Sequence, residues 1–431
     1  MNFNKIESIY PLSPMQEGML FHSLYAPRSG VDIEQLVMGL HEALNVSAFR
    51  EAWQRVVALH PVLRTCFRWE GVEEPLQEVH GQVCLPMIDE DWRECSSAEQ
   101  GRRLDAYLRA DRARGFVLAE APLMRVAVFR LAEADYRCVW TFPHILLDGR
   151  SFPIVLKDLF AFYEAECAGN RLDLEPPRPY QDHIEWLQKQ DFAQAEGYWR
   201  QTLKGLMAPT SLAVDQKGAA QGRHLPTVVS SHGLQEVRLS EGLTSALRSL
   251  AEAHDLTLNT MLQGAWALLL SRYSGEDAEG VVFGTVRAGR WNSIKGAESM
   301  VGLFINTLPM RIRVNPDMSV LAFLKEVRAQ HLSLREPLRE HCPLAKIQEW
   351  SELPSKTPLF DSILAYERYT INEMLQAATK PAPGEGERGR VGEWESGRTE
   401  EGESGRVGEP KRGRVGEWES GSRGNPLRLP S

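Results

Sequence analysis

No apolar run in the sequence approaches the roughly 20 residues that a membrane helix needs, which excludes a membrane-spanning helix. The opening residues, MNFNKIESIYPLSP, lack a basic segment followed by an apolar stretch, so no secretory signal is read there and a cytoplasmic location is expected. The six cysteines, Cys66, Cys84, Cys95, Cys138, Cys167 and Cys342, show no CxxC spacing, which argues against a zinc site, a redox pair or a disulfide framework. Excess positive charge is also lacking. With 49 Lys and Arg against 58 Asp and Glu, the net charge of −9 gives no basic footprint for nucleic acid. What is present is a chain of 431 residues, 43% hydrophobic and 25% charged, longer than one hydrophobic core usually organises. Two compact lobes with a cleft between them follow.

Along the chain, Phe49, Trp53, Val56 and Val57 recur at helical spacing between Ser47 and His60, and Pro61 starts a new element. Two β-rich runs, Leu123 to Leu131 and Tyr136 to Phe142, flank the polar turn Ala132 to Asp135 and predict a hairpin. Ser151 is positioned to cap a helix that starts near Pro153 and runs to about Gly169. The charged, proline-rich stretch Arg171 to Tyr180 reads as a bridge, with a helical pattern from Gln181 to Leu203 behind it. Later, Leu234 to Leu239 reads as β, followed by helices at Gly242 to Ala253 and Asn259 to Tyr273, with Asn259 and Gly275 as caps. VVFGTV, GLFINTL and MRIRV read as three short strands, and Val320 to Leu338 as a helix.

Beyond Ala377 the composition changes. GRVGEWESG stands at Gly389 to Gly397 and again at Gly413 to Gly421, amid little but Gly, Glu, Arg and Ser. Such a segment buries too little apolar surface to offset an ordering cost of about 1–2 kcal/mol per residue, and is expected to be disordered. The domains are thus read as 1–175, 176–377 and a low-complexity tail at 378–431.

The strongest chemical signal is Pro143-His144-Ile145-Leu146-Leu147-Asp148-Gly149, at the junction of a strand and a helix. A histidine at a strand end can present its imidazole to a cleft and accept a proton near neutrality. Gly149 permits a sharp reversal behind Asp148. Taken bare, the HxxxD spacing is a weak signal that fits a structural histidine better than a catalytic one.

HxxxDG followed by Ser151 resembles the signature of the condensation domains of nonribosomal peptide synthetases, members of the chloramphenicol acetyltransferase-like fold. The other motifs of that family have counterparts in the same order: LSPMQEGMLFH (Leu12 to His22), HPVLRTCF (His60 to Phe67), YQDHIEWL (Tyr180 to Leu187), VVFGTVRAGR (Val281 to Arg290) with VGLFINTLPMR (Val301 to Arg311), and PLFDSILAYERY (Pro358 to Tyr369). The resemblance implies an α/β (α+β) fold of two acetyltransferase-like lobes forming a V around a central tunnel. It implies amide-bond formation between acyl or peptidyl and aminoacyl thioesters, carried on the phosphopantetheine arms of donor and acceptor carrier proteins. No metal or cofactor bound by the chain itself is implied, and no nucleic-acid or membrane partner.

By the same resemblance His144 is the catalytic residue, as general base or as a positioning and electrostatic group. Asp148 is structural, paired with an arginine for which Arg64 is the first choice and Arg287 or Arg290 the alternatives, and Gly149 is the turn. Pro143 stands where the family usually has a first histidine, and since the heterocyclising relatives carry aspartates at both ends of this motif, Pro143 argues against that activity. The family ordinarily continues past Tyr369, so the second lobe is expected to be incomplete, and a catalytically impaired or carrier-binding remnant is the alternative reading. No carrier or adenylation motif is found, so both carriers are expected from other chains or domains. Tyr163 and Trp199 read as core aromatics, Asn306 as a turn residue, and His22, His60 and His183 as structural histidines rather than metal ligands.

Overall fold

The structure, a computed structural model, describes residues 5–26, 29–212, 235–274, 280–291, 293–354 and 357–367. The tail at 378–431, Leu234 and Gly275 lie outside them.

The first half is organised by strands β1 (Ile6–Pro11), β2 (Ile33–Leu40), β3 (Thr65–Arg68), β4 (Leu76–His80), β5 (Met87–Asp91), β6 (Arg125–Ala132) and β7 (Asp135–Pro143). Helices α1 (Pro14–Tyr25), α2 (Val46–Leu59), α3 (Ser97–Arg114) and α4 (Ser151–Cys167) accompany them. A four-stranded sheet runs in the order β2-β7-β6-β5, and a three-stranded sheet in the order β1-β4-β3. The predicted hairpin is β6–β7, antiparallel from Ala132↔Asp135 to Arg125↔Thr141.

Side-chain alternation along these strands splits the core in two. Val126, Val128, Cys138, Trp140 and Phe142 face α2 and α4, whereas Ala127, Phe129 and Val139 face Trp92 and α3. A sheet apolar on both faces needs a helix layer on each. The α2 layer is fixed by its apolar stripe: Phe49, Trp53, Val56 and Val57 are fully buried, and Trp53 lies 5.2 Å from Trp140, ring to ring. Burial of each such side chain contributes about 1.5–3 kcal/mol. Asn45 starts α2 by accepting the Ala48 N–H at 3.1 Å.

The second half holds α5 (Tyr180–Gln188), α6 (Glu196–Leu203), α7 (Glu241–Ala253), α8 (Leu258–Tyr273) and α9 (Val320–Ser333), with strands β8 (Val281–Arg287), β9 (Asn306–Ile312) and β10 (Ile363–Leu364) in the order β10-β8-β9. α8 and α9 cover one face of this sheet through Ala267, Leu270, Phe323 and Val327. Among the described residues no helix is long and apolar enough to cross a membrane.

Several sequence expectations are corrected here. The helix predicted from Gln181 to Leu203 breaks after α5, because Asp191 accepts the Ala193 N–H and opens a separate turn at Phe192–Ala195. GLFINTL and MRIRV form one strand, β9. It runs through Pro309 because β9 is the sheet edge, where a missing donor is tolerated. Residues 235–240 form no strand and lead into α7, capped by Ser240. The helix beginning near Asn259 is capped by Thr257. The helix predicted from Val320 to Leu338 stops at Ser333, and Pro337 opens a short turn of its own, Pro337–Glu340.

Candidate active site

The segment from His144 to Gly149 connects β7 to α4. Ile145, Leu146 and Leu147 are buried to within 1% and anchor the loop in the first core, while His144 stays partly exposed beside them. The His144 N–H donates to Asp32 O at 2.7 Å, and its Nδ1 lies 3.0 Å from Leu147 O. A carbonyl can only accept, so that contact places a ring proton on Nδ1, and in the neutral imidazole it leaves Nε2 as the acceptor. Nε2 makes no hydrogen bond among the described residues.

Pro143 fits without distorting the strand. The bond from His144 N to Asp32 O joins two directly opposite residues, so the neighbouring Ile33–Pro143 pair is a non-hydrogen-bonded one and the Pro143 nitrogen faces away from β2. On its other side β6 pairs only as far as Thr141. No ladder bond is lost, so the local distortion that a proline threatens does not occur.

Asp148 is buried to 1% and is the hub of the loop. Its Oδ1 accepts from Ser151 N at 3.1 Å, Ser151 Oγ at 3.0 Å and Arg290 Nη2 at 2.6 Å, and its Oδ2 accepts from Phe304 N at 3.0 Å. The single Ser151 hydroxyl proton is shared between Asp148 Oδ1 and Gly302 O, the latter at 2.8 Å, and Oγ accepts from Gly302 N. The Arg290 guanidinium donates to Ala297 O and Met300 O and lies over the Phe304 ring at 4.2 Å. This close approach requires Gly302, where a Cβ would stand 2.3 Å from the Tyr180 ring.

Arg64, the first choice as partner of Asp148, is elsewhere. It sits in the turn after α2 and binds Glu7 at 2.6 Å, Val57 O at 3.2 Å and His80 O, tying α2 to the β1-β4-β3 sheet. The alternative Arg290 is the partner, and Arg287 pairs with Glu340 at 2.9 Å. The reading of Gly149 is corrected too. Its φ is not positive, and a Cβ there would meet nothing within 4 Å. The reversal is made by the Asp148–Ser151 turn, closed by Ser151 N on Asp148 O at 3.0 Å. Ser151 is the first residue of α4 and not its cap, and its hydroxyl serves Gly302.

Tyr163 and Trp199 are buried core residues. Asn306 begins β9 and donates to Glu340 O and Cys342 O, both at 2.9 Å, so it clamps a loop. His60 is held by Asp158 at 2.9 Å. Burial lowers the imidazole of His22, and lowers that of His183 well below the ordinary value, the latter aided by His341 and Arg290. His183 lines a cavity of about 20 Å³ together with Ser13, Phe304 and Asn306, room for roughly one water. Among the described residues one metal-capable group occurs, Cys66, Glu78 and His80, brought together across β3–β4. Cys66 Sγ lies 3.2 Å from His80 Nε2, burial and Glu78 push the thiol up to about 11, and Glu78 already pairs with Arg68 at 3.2 Å.

The sequence reading passed over Gln16 and Gln77. Both are completely buried, and the Gln16 side chain reaches the Ile145 carbonyl at 3.2 Å, one residue from His144. The spacing Ser13-x-x-Gln16 ahead of an apolar run is a capping-box signal that could have marked Gln16.

Comparison with known proteins gives a consistent picture. The Condensation domain family model matches residues 6–391. A linear gramicidin synthase protein of Brevibacillus parabrevis is 46% identical over 373 residues, 86% of this chain and 5% of that protein. Surfactin synthase subunit 3 of Bacillus subtilis (strain 168) is 35% identical over 370 residues, 86% of this chain and 28% of that protein. The chain thus spans a small part of these relatives. Among solved structures, a four-domain nonribosomal peptide synthetase bound to AMP and glycine aligns with a TM-score of 0.69 at 19% identity, covering 85% of this chain and 27% of that one. A mutant of the starter condensation domain of rhizomide synthetase, in complex with C8-CoA, aligns with a TM-score of 0.67 at 21% identity, covering 83% of this chain and 78% of that one. At these identities the alignments show the fold, which is chloramphenicol acetyltransferase-like.

Proposed function

Because the chain belongs to the condensation-domain family of nonribosomal peptide synthetases, we propose that it joins an acyl or peptidyl thioester to an aminoacyl thioester through an amide bond. Donor and acceptor arrive on the phosphopantetheine arms of two carrier proteins. The observation that carries this reading is the orientation of His144: its Nδ1 proton is held by Leu147 O and its Nε2 lone pair is available to a reacting amine.

In the proposed step the acceptor amine attacks the donor carbonyl, the C–N bond forms and the C–S bond breaks. Nε2 of His144 takes the amine proton and returns it to the departing thiolate, so the ring ends in its starting state. Asp148 takes no part in proton transfer, because Ser151, Arg290 and the Phe304 N–H occupy its oxygens. It fixes the loop. Residues 1–175 and 176–377 are proposed as the two lobes, with the Asp148–Arg290 pair as a fastening between them.

The test is a transfer assay with two loaded carrier proteins, read by mass spectrometry of the acceptor carrier. Growth of the acceptor-bound product by the mass of the donor acyl group supports the reading. Fully loaded carriers that stay unchanged beside the folded chain contradict it.

A further inference from the structure

Two anchors hold the His144 loop. The first is Asp148 with Arg290. The second is a pair of buried amides from a different part of the chain, Gln16 and Gln77. Gln16 Oε1 accepts from Ser13 N at 2.9 Å and from Gln77 Nε2 at 3.0 Å, and Gln16 Nε2 donates to Gln77 Oε1 at 3.0 Å and to Ile145 O at 3.2 Å. A primary amide has two N–H donors and two oxygen lone pairs, and all four are used. Gln77 in turn donates its other N–H to Pro11 O at 3.0 Å, so β1, α1, β4 and the loop meet at one point.

The geometry is directional. An amide saturated in this way cannot rotate without losing partners that no water can replace, since both glutamines are 0% exposed. It therefore fixes the Ile145 carbonyl, and with it the peptide that leads to Leu147, whose own carbonyl holds the His144 proton. We propose that Gln16, braced by Gln77, is a positioning residue that sets the tautomer and aim of the His144 imidazole. This rests on the reading of His144 given above, and extends it to two residues of the first motif and β4.

The test uses the full chain labelled with ¹⁵N-histidine, with the His144 signal identified by its loss in His144→Ala. Gln16→Glu keeps the shape and the acceptor for Ser13 N–H but replaces the two N–H donors by one O–H when protonated and by none when ionised. Gln16→Met with Gln77→Met replaces the pair by two apolar side chains and leaves no unpaired side-chain amide, at the cost of the partners of Ser13 N and Ile145 O, and the circular dichroism spectrum of each variant identifies one that merely unfolds. The parent is expected to carry the proton on Nδ1, and both variants to show a growing Nε2-protonated fraction. In the transfer assay kcat should fall on the order of 10- to 100-fold with KM for the loaded acceptor carrier unchanged. Folded variants that keep the parental His144 signal would overturn the proposal, as would a parent protonated on Nε2. A tautomer change in a chain that transfers nothing would support the positioning while removing the condensation reading.

Discussion

Asp148 and Arg290, 142 residues apart in the chain, face each other at 2.6 Å with side chains each 1% exposed. Removing one partner strands the other charge in a site that water does not reach, at a cost of about 3–5 kcal/mol. Asp148→Asn and Arg290→Met are each expected to lower the unfolding free energy measured in urea by that amount. In a double-mutant cycle Asp148 and Arg290 should be strongly coupled, and Asp148 and Arg64 should be additive to within about 0.5 kcal/mol. Coupling to Arg64 in place of Arg290 would mean that the ion pair is misassigned.

Pro143 costs the strand no hydrogen bond, because the Ile33–Pro143 pair needs no donor toward β2. Pro143→His should therefore leave the melting temperature nearly unchanged and alter transfer less than about tenfold, under 1.4 kcal/mol of barrier. Robust turnover appearing in Pro143→His from an inactive parent would show that this residue silences the chain.

Acid should destabilise the fold before its carboxylates titrate. Burial lowers His183 well below 6.5, and burial with Arg287 and Arg335 lowers His331 to about 3. Unfolding restores ordinary imidazoles that bind protons below about pH 6.5, so the unfolded state gains protons that the folded state refuses. The stability present above pH 6.5 is lost as pH falls toward the depressed folded values. The loss should approach about 1.4 kcal/mol per pH unit for each histidine. Urea titrations from pH 7.5 to 5 measure it, and His331→Gln should flatten the slope. A parental slope of zero between pH 6 and 5 would mean that neither imidazole is held neutral.

Much of the fold was readable because its signals are local. The stripe Phe49, Trp53, Val56 and Val57 predicts α2, and the apolar runs flanking Ala132 to Asp135 predict the β6–β7 hairpin, each to within a few residues. His144 and Asp148 were legible from their spacing within a recognisable motif. The partner of Asp148 was not, since three arginines satisfy the same charge requirement and only the approach of the Gly302 segment to Ser151 selects Arg290. Gly149 misled for a related reason: a glycine suggests a left-handed turn, whereas the Asp148–Ser151 turn reverses the chain at ordinary φ. The capping box of Ser13 and Gln16 is local, but the contacts of Gln16 to Gln77 and Ile145 come from separated segments of the chain, and hydrogen-bond saturation has no sequence period.

The central claim is that His144 directs the amine through Nε2. Transfer between loaded carriers should be measured for the parent and for His144→Ala under single-turnover conditions, with the circular dichroism spectrum and carrier affinity recorded on the same samples. The account predicts an unchanged spectrum and affinity, and a rate about 10²–10⁴ lower, the usual contribution of a general base. A His144→Ala chain that transfers at near-parental rate would contradict it.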